Sequence, residues 1–178
     1  DWADEYIHTG YVLHDQVLYY QALRELASIH RHIHGSADHE LEERTARLRD
    51  LVRMNYWFAS DEPDSPDHVY HDVLYRNARQ AACHCHDRYW LSFFSPAGYG
   101  YRFDALANAL VSLTGVADPE RQRRVDEYVF SEVVPQDFPM IPAFHPVITP
   151  KDDDWEDLQM TFSYTFRNNP YEYHNGGL

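Results

Sequence analysis

The residues best equipped for chemistry stand at the front of the chain, where Trp2 and Asp4 precede Gly10-Tyr11 and the polar run His14-Asp15-Gln16. A carboxyl group ahead of a helix can hand a proton into the cavity that the helix mouth faces, and a nearby ring offers a flat apolar surface. Asp4 is equally suited to capping the entry of that helix. Asp15 and Glu172 are alternative acids, and Arg102 is either a ligand for an oxygen-rich molecule or an ion-pair partner of Asp104. Near the other end, Tyr173-His174-Asn175-Gly176-Gly177 sets a ring and two polar side chains on a glycine bend. His174 and Asn175 either touch a ligand there or brace the bend. Trp2, Tyr11 and Tyr173 are candidate stacking surfaces, with core packing as the alternative. Rings beside polar donors suit flat, hydroxyl-bearing ligands such as sugars, whose C–H faces stack while their hydroxyls hydrogen-bond.

His71, Cys83, His84, Cys85, His86 and Asp87 have the side chains of a zinc site. The Cys-x-Cys pair lacks a second pair at ligand spacing, however, so no metal and no cofactor are expected.

These groups need elements to hold them. Leu13, Val17, Tyr20, Leu23 and Ala27 recur at steps of three and four, predicting a helix over 12–33 that stops at Gly35. A second helix over 38–58 follows a short link, which implies an antiparallel hairpin. Residues 61–67 are a Pro- and acid-rich loop, 69–86 are ambiguous, 89–94 read as extended and 95–102 as a glycine-rich turn. A helix with the face Phe103, Leu106, Ala107, Leu110, Val111 and Leu113 comes next. Asp118-Pro119 opens another that reaches Val133. From Pro135 the prolines forbid a long helix, 162–169 are strand or loop, and a long structured loop of this kind usually serves a binding site.

With 178 residues the chain holds a single core at most, and its 15 basic against 29 acidic residues give a formal charge of -14. Nucleic acid and anionic membrane surfaces are therefore poor partners. No apolar run approaches the ~20 residues of a membrane span. Two cysteines one residue apart fit a reducing, cytoplasmic compartment. Fourteen Tyr and four Trp leave room for a homo-oligomeric interface. Both ends fall inside dense, motif-like sequence, as expected of a piece of a larger protein.

Three stretches, in order, resemble the alkaline and neutral invertases. They are Gly10-Tyr11 with Gln16-x-Leu18-Tyr19-Tyr20-x-Ala22-Leu23-Arg24, Phe94-Ser95-Pro96 with Arg102-Phe103 and Ala105-Leu106-x-Asn108, and Tyr173-His174-Asn175-Gly176-Gly177. Arg53-x-Asn55-Tyr56-Trp57 and Phe138-Pro139-Met140 are similar too, and Trp2-x-Asp4 is similar to the Trp-Met-Asp of glycogen-debranching-type glucosidases. The resemblance implies an all-α fold, with residues 1–178 as roughly half of an (α/α)6 barrel with long structured loops. It implies an inverting glycoside hydrolase that cleaves an α-glucosidic bond in sucrose or a related small sugar or glucan. In such enzymes an acid and a base stand ~6.5–9.5 Å apart across the scissile bond. Asp4, or Asp1 as the fallback, matches the family's general acid. The general base, a Glu, would lie beyond residue 178, so the isolated piece is expected to be inactive. Trp2, Tyr11, His14, Asp15, Gln16, Arg102, Asn108, Tyr173, His174 and Asn175 match substrate-contacting stretches. An amylo-α-1,6-glucosidase of debranching type, or a non-catalytic carbohydrate-binding protein, would share the pattern. The chain departs from the invertases at Val12-Leu13-His14-Asp15-Gln16 and at Gly100, where they carry an Asp, and this puts sucrose itself in question.

Overall fold

The all-α fold implied by the resemblance gives way to a sheet centred on Leu91–Ser95, overlapping the stretch that reads as extended. A computed structural model describes residues 8–61, 67, 69–134, 141–149 and 151–155, and in it five helices pack with a four-stranded sheet. The strands are β1 (Tyr11–Val12), β2 (Leu91–Ser95), β3 (Gly98–Asp104) and β4 (Phe144–His145). They lie in the order β1-β2-β3-β4, with every neighbouring pair antiparallel. This overturns the all-α reading and, with it, half of an (α/α)6 barrel: the chain is α+β. The cause lies in Gly98-Tyr99-Gly100-Tyr101-Arg102-Phe103-Asp104. Its glycines suggest a turn, yet Tyr99, Tyr101 and Phe103 alternate with period two, which is the signature of a strand. Only Pro96 and Ala97 turn the chain between β2 and β3. Phe103 consequently lies within a strand instead of starting a helix.

The helices lie close to where the periodicity puts them. Helix α1 (Leu13–His34) buries Leu13, Val17, Tyr20, Leu23 and Ala27 on one stripe and leaves Leu18, Leu26, Ile29 and Ile33 exposed on the other side. It ends where Gly35 adopts φ 68 and its N–H returns to the Arg31 carbonyl at 2.9 Å, the left-handed stop that glycine tolerates best. Asp38 caps α2 (His39–Tyr56) by accepting from Leu41 N–H, and α1 and α2 pack as the predicted hairpin. Helix α3 (Asp72–Ala81) takes up most of the ambiguous stretch, with the His71 ring as its cap. Asp104 caps α4 (Ala105–Leu113) and Asp118 caps α5 (Pro119–Tyr128), which widens into a π-helical turn over Val129–Val133.

Helices and sheet share one core, in which Trp90, Tyr56, Tyr75, Tyr89, Phe58 and Phe103 are fully buried. Each such side chain contributes roughly 2–3 kcal/mol through burial. Much of the aromatic content is therefore core, although not all of it. No helix among the described residues is long and apolar enough to cross a membrane.

Candidate functional site

Gly10 decides how the chain enters the sheet. At φ 96 it presses so closely on β2 that a Cβ would stand 2.5 Å from the Phe94 carbonyl oxygen. Tyr11 follows, paired with Phe94 across the ladder. The Tyr11 ring stacks on Phe94 at 5.2 Å and meets Tyr70 at 5.4 Å, tilted by 58°. Tyr11 is 48% and Tyr70 39% exposed, so two rings form an open corner at the surface. The backbone beneath both is pinned. The Tyr56 hydroxyl donates to the Tyr11 carbonyl at 2.9 Å, and the Tyr70 N–H donates to Asn55 Oδ1 at 2.7 Å. Asn55 and Tyr56 thus position the corner from the end of α2.

One turn on, at the mouth of α1, His14 Nδ1 lies 3.1 Å from Asp15 Oδ1. His14 and Gln16 are half-buried, and Asp15 is exposed. Tyr11 opens β1 and His14, Asp15 and Gln16 follow in the first turn of α1, so the four are neighbours in sequence, and among them His14 and Asp15 are in contact.

Arg102 belongs to a second cluster. Its guanidinium pairs with Asp154 at 2.7 Å and Asp152 at 3.3 Å, and donates to the Pro146 carbonyl at 2.7 Å. Asp104, the alternative partner weighed from the sequence, accepts from Ala107 N–H and caps α4. Arg102 fastens the segment after β4 to the sheet and lines a cavity of about 290 Å³ with Phe93, Gly100, Pro146 and Asp154.

His8 joins the two clusters. It is buried between Phe93, at 4.8 Å, and Phe144, at 5.4 Å. Burial depresses its pKa to about 4, while the charges of Asp154 and Asp15 pull in the opposite direction. Asp15 from the α1 mouth and Asp154 from the arginine cluster both bear on one imidazole, which is neutral at pH 7. The sequence offered no signal for His8 or Tyr70, because neither falls on a periodic element or in a spaced motif.

Asn108 is 1% exposed. Its Oδ1 accepts from Trp90 N–H at 2.9 Å, and its Nδ2 donates to the carbonyls of Trp90 and Asp104 at 3.1 and 2.9 Å. The amide is committed to splicing α4 onto the strand entrance inside the core. Among the remaining candidates, Trp2, Asp4, Tyr173, His174 and Asn175 lie outside the described residues, as do Asp1 and Glu172.

The thiols are separated by environment. Cys83 is exposed, whereas Cys85 is buried and donates to the Tyr89 hydroxyl at 2.9 Å, with burial pushing its pKa up to about 12. Such a thiol is a poor nucleophile at neutral pH. No group of three or more metal-ligating side chains is present among the described residues. The described residues thus offer an exposed aromatic corner on the Phe94 side of β2, and a buried neutral imidazole and a guanidinium pinned by carboxylates on the Phe93 side.

No protein-family model matches the chain, and no curated protein matches it.

Proposed function

We propose that this chain acts on carbohydrate in a cytoplasmic setting, as part of an inverting glycoside hydrolase that cleaves an α-glucosidic bond. The observation that carries the reading is the exposed Tyr11–Tyr70 corner, two open rings that also carry hydroxyl groups. A sugar presents an apolar C–H face and a rim of hydroxyls, and this corner offers rings for the one and polar atoms for the other. Because Asn55 and Tyr56 pin the backbone under the rings, the surface is organised before a ligand arrives. The reading rests on this site and on the ordered motifs, and it does not require a barrel.

Asp4 is the proposed general acid, with the base supplied by a Glu C-terminal to residue 178.

The test is an assay of the longest polypeptide containing this chain on a panel of α-glucosides, with the product anomer followed by NMR. Asp4→Asn should lower turnover by roughly 10²–10⁴-fold, the share that general acid help supplies. Near-normal turnover removes Asp4 from the role, and a product of retained configuration refutes inversion. Tyr11→Ala should weaken sugar binding by about tenfold, equivalent to ~1.4 kcal/mol. Saturable sugar binding without hydrolysis in the unsubstituted protein would make it a binding module, since the aromatic corner alone suffices for that.

A further inference from the structure

The last turn of α1 carries His30, Arg31, His32, Ile33 and His34, which the proposed function leaves unused. His30 and His34 are one helical turn apart and share a face. Their rings approach to a centroid separation of 4.4 Å at 41°. His30 Nδ1 lies 3.3 Å from the Ser36 carbonyl oxygen. A carbonyl only accepts, so that nitrogen carries the ring proton and the lone pair is left on Nε2. A backbone partner on one imidazole nitrogen is also the arrangement that orients metal-binding histidines. His34 is exposed and His30 half-buried, so both are open to ions in solution. Arg31, the nearest cation in sequence, is held by Glu42 of α2. The net charge of -14 raises the local concentration of cations around the chain.

We propose that His30 and His34 form a two-imidazole chelate for a divalent transition-metal ion. Two histidines four residues apart on a helix are the same device that holds zinc in His-Glu-x-x-His helices. With only two protein ligands the remaining positions are filled by water, so the site is open and geometry discriminates weakly. Affinity then follows the intrinsic order of nitrogen ligands, with Cu²⁺ ahead of Ni²⁺ and Zn²⁺. The spacing of the two rings exists only while the last turn of α1 is helical. Metal therefore binds the folded chain preferentially and raises its melting temperature.

The experiment uses the 178-residue chain carrying Cys83→Ser, which removes the exposed thiol as a competing ligand. Cu²⁺ alone is titrated by calorimetry, and the complex is recorded by electron paramagnetic resonance. The expected result is one tight equivalent with two nitrogen donors, accompanied by a rise in melting temperature. His30→Ala and His34→Ala should each weaken binding by about tenfold or more and abolish that rise. His32→Ala, on another face of the helix, should leave both unchanged. Circular dichroism of each variant confirms that helix content is retained. Equal affinity in the His34→Ala chain, a spectrum with a single nitrogen donor, or no saturable uptake would each overturn the site.

Discussion

Gly100 offers the sharpest test of how β3 is built. A Cβ at this position would stand 2.3 Å from Phe93 Cε1 and 2.6 Å from Ser92 Oγ. Both contacts are well inside van der Waals distance, and Gly100 is not among the glycines with positive φ, so contact rather than backbone strain sets the cost. Gly100→Ala should therefore destabilise the fold by about 1–3 kcal/mol, the usual penalty for overpacking. In a chain of this size that corresponds to a fall in melting temperature of about 2–4 °C per kcal/mol. The Phe93 ring is the obstacle, which makes the effect conditional. In a Phe93→Ala background the same substitution should cost much less, with a coupling of at least about 1 kcal/mol in a double-mutant cycle. Urea unfolding followed by circular dichroism and tryptophan fluorescence on all four proteins measures this directly. An equal cost of Gly100→Ala in both backgrounds would refute the steric argument. Gly100→Asp should be worse than Gly100→Ala, since the carboxylate would be driven against an aromatic ring.

Two further outcomes follow from side chains around the site. The pKa of His8 is about 4 in the folded chain, against an ordinary 6.5, so between these values the unfolded chain binds more protons. Stability should therefore rise with pH across that window, with up to about 3 kcal/mol from this group fully present above pH 6.5 and lost as pH falls toward 4. Unfolding free energies measured across pH 4–7 should show this slope, and His8→Leu should flatten it; an unchanged slope would clear His8. Asn108→Ala removes three buried hydrogen bonds and strands the Trp90 N–H and C=O, and it should cost about 2–4 kcal/mol in urea unfolding. A loss under about 0.5 kcal/mol, as at an ordinary surface position, would return Asn108 to the list of ligand-contacting candidates.

The helices were legible because each carries its own instructions. The 3.6-residue stripe of Leu13, Val17, Tyr20, Leu23 and Ala27, the Gly35 stop, and the Asp38 and Asp118 caps all act within a few residues of sequence. The contact of His14 with Asp15 is local in the same way, since the two are adjacent in the chain. The sheet was legible only in part: 89–94 reads as extended and overlaps β2, whereas the outer pairings join residues far apart, Tyr11 with Phe94 and Phe103 with His145. No local pattern specifies those outer pairings, and Gly100, which lets Phe93 lie across β3, looks like punctuation when read singly.

The sequence by itself determined the charge, the helical stripes, their caps and the polar turn at the α1 mouth, since these depend on neighbours along the chain. Tertiary structure alone decided that Asn108 serves the core, that Arg102 clamps Asp152 and Asp154, and that Tyr70 completes the Tyr11 corner. It also decided that His8 is neutral, because a pKa is set by what surrounds an imidazole. Here that surrounding is Phe93 of β2 and Phe144 of β4, brought together from the two strands that flank β3.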